Sequence, residues 1–402
     1  MGKTRRNTRS KNAIVYLLFK SELYLIGACI CGYVHQQFRK KYKLTFDLIL
    51  MVDEPLYKYK KDLEYFFDKV ILIDIIKFKL NKEYTKKLPF KYAETISLFT
   101  TKLNIFKLHQ YNKVLALDID TLPVNKKFYD VFNYDTPSTI FRMHTTVPSS
   151  THYTHEQIYS KEIGDLSNQS KYLNMFLEGS IYMLSPTKTD FDDILAYMHD
   201  AEGTHGYSSH QASTADETII LHYLALKKKN VITNIPKEYC IIPWDSKNKP
   251  YYDTAYSYNY LSNIKPWNKP LFMMWKEEYI YYFISEQIIK RSTLLKRIHY
   301  RNIAKTIKEY KPSIEKGILS GRCSKDPAIK EACSTAIATA NKPSIAPFLA
   351  ENTSYEMYNS MKPDIEEMLE TMYISMNDTT KLNMTTYGVI DKQLQSFHKL
   401  IL

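Results

Sequence analysis

Glycine is scarce in this chain, 10 in 402 residues, and proline is little commoner at 16. That poverty excludes collagen-like and low-complexity disordered classes. Cysteine is scarcer still. Cys29, Cys31, Cys240, Cys323 and Cys333 are odd in number and scattered, which excludes a disulfide framework and fits a reducing compartment. The Cys29/Cys31 pair has no second pair to complete a zinc tetrahedron, so burial as small apolar groups is expected. Long apolar runs are missing as well. The run over 13–19 is broken by Lys20, Ser21 and Glu22. It is too short for a membrane span and poor as a signal peptide, so a soluble, cytoplasmic protein is expected. The N-x-S/T sequons at Asn168, Asn352, Asn377 and Asn383 then read as chance matches.

Acidic residues are outnumbered, 43 against 55 basic, for a net charge of +12. The surplus is spread along the chain except at residues 1–12, an acid-free arm carrying Lys3, Arg5, Arg6, Arg9 and Lys11. It reads as a solvated, disordered tail. No recognition motif accompanies it, so no nucleic-acid partner is expected.

What is present is an ordinary globular composition, 44% hydrophobic, in a chain long enough for one large domain and an appendage. Short β-branched runs alternate with helical stretches. Strands are expected over 13–19, 46–52, 69–75, 113–117, 175–184 and 231–234, with helices over 24–38, 58–67, 190–199 and 218–226. Gly27, Ala28 and Gly32 are expected to lie close to the sheet. Such alternation implies an α/β fold with a mostly parallel sheet, which binds ligands beyond the carboxyl ends of its strands. Periodicity fades over 136–174, which reads as a long loop or lid. From about Glu286 the sequence turns to Lys- and Glu-rich amphipathic helices broken by prolines. The organisation expected is a tail at 1–12, a main domain at 13–290 and a helical module at 291–402. That module suits acceptor recognition, oligomerisation or attachment.

The most informative stretch is Tyr111-Asn112-Lys113-Val114-Leu115-Ala116-Leu117-Asp118-Ile119-Asp120-Thr121. In extended backbone Asp118 and Asp120 would project to one side, where both could address a hard divalent cation. A bare D-x-D is weak by itself, and Asp190-Phe191-Asp192 supplies a control. That pair opens a helix and complements its dipole.

Following an apolar strand, Asp118-Ile119-Asp120 resembles the motif of the glycogenin-like, family 8 retaining glycosyltransferases. Their GT-A, Rossmann-like fold presents a D-x-D to a manganese ion on the pyrophosphate of a UDP-sugar. The resemblance extends from about residue 13 to 267, with its motifs in order. Thr101-Lys102-Leu103 implies a donor contact for Lys102. Leu18 and Tyr24-Leu25-Ile26-Gly27-Ala28 are similar to the uracil-binding strand and the helix start. Glu178, Gly179 and Ser180 fall on the strand that meets the donor sugar. Asp216-Glu217 falls where the family has Asp-Gln, on the catalytic face, and Lys265-Pro266-Trp267 matches its Lys-Pro-Trp. The resemblance thus implies transfer of a hexose or N-acetylhexosamine from a UDP-sugar to a carbohydrate or protein acceptor. Manganese, or magnesium in its place, would be held by Asp118, Asp120 and the residue at 259.

Several positions depart from the family. Its third metal ligand, a histidine, falls on Asn259, and the following glycine on Ser262. An amide oxygen is a poorer donor to manganese than imidazole. The family's Asn-Ser-Gly becomes Glu178-Gly179-Ser180, and its uracil-site Thr and Asn become Lys20 and Ser21. Glu217 adds a carboxylate that could serve as nucleophile or electrostatic stabiliser. These departures motivate an alternative: a catalytically impaired nucleotide-sugar-binding or scaffold protein. For Asp216 the plainer role is N-cap of a helix from Thr218. His144, His152 and His155 crowd the irregular stretch without a zinc spacing. Trp244, Trp267, Trp275 and the tyrosines of 251–260 could stack on sugars, though core packing accounts for most of them.

Overall fold

The structure is a computed structural model that describes residues 11–79, 90–143, 152–158, 175–201, 215–243, 250–251, 254–261, 264–269 and 278–319. It divides into two compact units that interleave along the chain. The first comprises Met1–Lys20, Phe38–Ile241 and Thr254–Asn259, and the second Ser21–Gln37, Ile242–Asp253 and Tyr260–Leu402.

The first unit is built on an eight-stranded sheet. Its strands are β1 (Asn12–Leu18), β2 (Phe46–Val52), β3 (Lys69–Leu72), β4 (Val114–Leu117), β6 (Ser138–Met143), β7 (His152–Tyr153), β8 (Met175–Leu184) and β9 (Ile232–Asn234). A separate ribbon pairs β5 (Thr121–Pro123) with β10 (Ser257–Asn259). The sheet order is β3-β2-β1-β4-β8-β6-β9-β7. β3, β2, β1 and β4 run parallel, and the near-continuous apolar stretches of β2, β1 and β4 are those of strands covered on both faces. β8 then enters antiparallel to both β4 and β6, and β7 is antiparallel to β9. The sheet is therefore mixed rather than mostly parallel, because direction is set by pairing partners that the apolar pattern of one strand does not encode.

Helices α2 (Phe90–Phe99), α3 (Asp190–Ala201) and α4 (Ala215–His222), with a 3-10 segment Thr100–Lys107, belong to this unit. Their apolar residues join Val15, Met51, Ala116 and Leu184 in one core with Leu103, Phe106, Met198, Ile219 and Ile220. Each such fully buried aliphatic side chain contributes about 1.5–3 kcal/mol. Most of the expected elements are in place, but the loop at 136–174 is not wholly irregular. Residues 138–143 form β6, an interior strand. Pro137 and Arg142 obscure its pattern, and tertiary pairing overrides the weak local signal. The third strand ends at Leu72 rather than 75, and residues 58–67 form only short helical turns.

The second unit holds the start of α1 (Leu25–Tyr42), then α5 (Tyr279–Ile289) and α6 (Thr293–Leu319). Trp267, fully buried, organises it. Its Nε1 donates to Leu23 O at 2.8 Å, and its ring meets Tyr24 and Tyr281. Gly27 faces this indole: a Cβ there would lie 2.5 Å from the Trp267 ring. The small residue serves that contact, and Trp267 is core rather than a sugar platform. We expect Gly27→Ala to destabilise the protein by about 1–3 kcal/mol, read as an earlier thermal transition, because a ring pinned by its own hydrogen bond has no room to retreat. A buried Lys269–Glu278 pair at 2.6 Å and an Arg301–Glu22 bridge at 2.7 Å complete the unit's polar contacts of note. The helical module expected at 291–402 is described as far as Leu319. His144, Trp244, Ser262, Trp275, Cys323, Cys333 and the four sequons lie outside the described residues. Cys29, Cys31 and Cys240 are buried. Among the described residues no helix is long and apolar enough to cross a membrane.

Candidate active site

The carboxyl ends of β1 and β4 open onto a small pocket lined by Leu17, Phe19, Lys102, Ala116, Leu117, Asp118, Gly179 and Tyr182. Three local features shape it. First, β4 stops at Leu117 and the chain turns at once, with Thr121 N donating to Asp118 O at 2.8 Å. Asp118 and Asp120 therefore sit in a reverse turn and not in extended backbone as their spacing suggested. Asp118 keeps about a third of its side chain exposed, whereas Asp120 is buried. Second, β8 bulges. Between the pairs Thr139/Tyr182 and Phe141/Leu177, β6 advances two residues and β8 five. Glu178, Gly179 and Ser180 occupy that excess, the kind of ladder break that re-aims groups beside active sites. Third, α4 begins at Ala215, so Asp216 and Glu217 lie inside its first turn and Asp216 is not the cap of a helix from Thr218.

Lys102, from the 3-10 segment, joins these features. Its Nζ lies 2.7 Å from Asp118 Oδ1 and 3.3 Å from Asp216 Oδ2, and donates to Gly179 O at 3.1 Å. Asp216 is completely buried, and the ammonium is one of the groups that face its carboxylate. Burial disfavours the ammonium, yet Asp118 and Asp216 outweigh it and hold Lys102 well above the usual lysine range. Enclosure pushes the Asp118 carboxyl up to about 6, against the pull of Lys102 and with Asp120 adding to the rise. Gly179 answers a steric demand: a Cβ there would run into the Glu217 carboxylate, which rests against the bulge.

On the other side of the turn Asn259 pairs with Thr121 across the β5/β10 ribbon, and its Nδ2 donates to Thr121 Oγ1 at 3.2 Å. Its Oδ1 is buried and accepts no hydrogen bond. Ser180 Oγ donates to Glu178 Oε1 at 3.1 Å and lies 3.1 Å from the Cys240 thiol. Burial, with Glu178 nearby, pushes that thiol far above its ordinary range, which makes it unreactive. Among the described residues no three His, Cys, Asp or Glu side chains are grouped so as to hold a metal ion. The third position beside the two aspartates is an amide.

No family model matches the chain. It is 24% identical over 267 residues to an uncharacterized protein of Acanthamoeba polyphaga mimivirus, covering 65% of this chain and 84% of that one. Among solved structures it is similar to the galactosyltransferase LgtC in complex with donor and acceptor sugar analogues, at 14% identity over 69% of this chain and 95% of that one, TM-score 0.40. It is similar also to the glycosyltransferase GlyE of Streptococcus pneumoniae, at 12% identity over 70% and 62% of the two chains, TM-score 0.39. Mouse xyloside xylosyltransferase 1 matches at 11% identity over 63% and 99%, TM-score 0.36.

The first unit brings together Lys102, Asp118, Asp120, Glu178, Gly179, Ser180, Asp216, Glu217 and Asn259 on the turn, the bulge, α4 and the ribbon. Ile119 is the middle residue of the turn, and Leu18 is buried at the end of β1. Tyr24 and Lys265 belong to the second unit, where Lys265 Nζ lies 6.0 Å from the Tyr24 ring centroid and donates to Tyr260 O at 3.4 Å. Sequence reasoning missed Tyr182, which reads there as one more member of an apolar strand. It missed Thr121 and Cys240 too, whose roles arise from cross-strand pairing. Of the clustered histidines, His152 lies exposed in β7 and His155 opens a short helix. The control motif behaves as expected: Asp190 Oδ2 accepts from Thr187 N at 2.8 Å as its helix begins.

Proposed function

We propose that this protein is a metal-dependent retaining glycosyltransferase that moves a hexose or N-acetylhexosamine from a UDP-sugar to a carbohydrate or protein acceptor. The observation that carries the reading is the buried Lys102, clamped between the aspartate of a strand-end turn and the aspartate of a facing helix, at the rim of a pocket beyond parallel strands. Departure of a nucleoside diphosphate leaves negative charge on its β-phosphate, which Lys102 would offset. The Asp118 and Asp120 carboxylates and the buried Asn259 Oδ1 are three hard oxygen donors from one turn and its paired strand, a set that fits manganese or magnesium. Bound there, the ion would neutralise charge on the leaving pyrophosphate. Asp216 and Glu217 present negative charge to the sugar's anomeric carbon as it becomes oxocarbenium-like. Glu178, Gly179 and Ser180 would line the donor-sugar side, Leu18 the base side, and the backbone of Ile119 the nucleotide. A cytoplasmic location fits this use of a nucleotide-sugar.

One observation favours a second reading, nucleotide-sugar binding without catalysis: the first D-x-D carboxylate already pairs with Lys102. A manganese-dependent hydrolysis screen across UDP-glucose, UDP-galactose and the UDP-N-acetylhexosamines separates the two. Turnover selects the enzyme, and metal-independent UDP binding without turnover selects the binding protein. The amide at 259 gives a sharper expectation. Asn259→His should tighten manganese roughly tenfold in calorimetric titration of the UDP-bound protein, since imidazole is the better ligand for a first-row metal. Unchanged affinity would put residue 259 outside the coordination shell.

A further inference from the structure

Tyr182 has no task in the account so far, yet it breaks a strong rule. Buried tyrosine hydroxyls find a hydrogen-bond partner. Tyr182 is 3% exposed and its hydroxyl has none. It lies on β8 after the bulge and lines the same pocket as Lys102, Asp118 and Gly179. Burial, with Asp216, Asp118 and Glu217 nearby, raises its titration despite Lys102, so the phenol keeps its proton and can donate. Beside it the pocket's polar side chains are the Asp118 carboxylate, which only accepts, and the Lys102 ammonium, already engaged by Asp118 and Asp216. The missing partner must therefore accept from the phenol, and one that also offers protons to carboxylates completes the network. A sugar hydroxyl does both.

We propose that Tyr182 determines donor specificity by hydrogen-bonding one hydroxyl of the transferred sugar ring, which selects donors that carry that hydroxyl. The inference rests on the glycosyltransferase reading and adds to it a group on the sugar. A site built to bond a hydroxyl rejects the analogue lacking it far more strongly than an apolar wall does, because the protein group is then left unpaired.

The test measures UDP-hexose hydrolysis by wild type and Tyr182→Phe, using the preferred UDP-hexose and its 2-, 3-, 4- and 6-deoxy analogues, with UDP affinity and thermal midpoint recorded alongside. Removing an unpartnered buried hydroxyl should leave the free protein's midpoint unchanged or higher. Tyr182→Phe should lose roughly tenfold to a hundredfold in kcat/KM on the full hexose and bind UDP as wild type does. It should lose nothing further on one deoxy analogue only, the one lacking the partner hydroxyl. Equal kcat/KM for wild type and Tyr182→Phe on every donor would overturn the proposal while leaving the glycosyltransferase reading in place, as would equal losses on all four analogues. Failure of wild type to bind UDP or hydrolyse any UDP-hexose would sink the reading itself and the proposal with it.

Discussion

Asp118→Ala and Asp120→Ala should each abolish manganese-dependent UDP binding and lower donor turnover by roughly a thousandfold or more, while the fold survives. The expectation rests on charge. In the proposed reaction the leaving nucleotide would develop its negative charge next to the turn, and each carboxylate would supply part of the anchoring for the cation that offsets it. Asp118 is a third exposed and lies in a turn, so truncation opens no core cavity. Asp120 is buried, but it too lies outside the sheet ladder. The measurement is paired: UDP titration with and without manganese, and thermal unfolding in both conditions. Wild type should show a manganese- and UDP-dependent rise in its midpoint that both variants lack. Full activity in both variants would remove these residues from the metal assignment.

The second large effect concerns stability as well as turnover. Lys102→Met keeps the length of the side chain and removes its charge, taking one cation away from the completely buried Asp216 carboxylate. Breaking one partner out of a buried pair costs about 3–5 kcal/mol, which should show as a lower denaturant midpoint. Turnover should fall by a further two to three orders of magnitude, roughly what one electrostatic stabiliser of the departing group supplies. The double variant Lys102→Met/Asp216→Asn separates the two effects. It should regain most of the stability, because the buried carboxylate is neutralised together with its cation, and none of the activity. An unchanged midpoint for Lys102→Met alone would show that groups other than Lys102 satisfy Asp216.

Much of this protein is readable without coordinates. The strands β1, β2, β4 and β8 announce themselves as apolar runs, and α3 by its acidic first turn, because both signals are local and fall within a few residues. The position of Asp118 and Asp120 at the end of a buried strand follows from the same pattern. So does the ambiguity of Asp190, whose neighbours spell a helix start.

Tertiary structure alone decided how those pieces work together. The antiparallel direction of β8, and its bulge at Glu178-Gly179-Ser180, depend on hydrogen-bond register with β4 and β6. Register is a property of pairs of strands, so no periodicity within β8 could reveal it. The same reason hides the pairing of Asn259 with Thr121 and the convergence of Lys102 on Asp118, Asp216 and Gly179 from separate segments. Tyr182 is the sharpest instance. Its place in an apolar strand predicts burial correctly, and only the surroundings of its hydroxyl turn an ordinary core residue into a group that awaits a ligand.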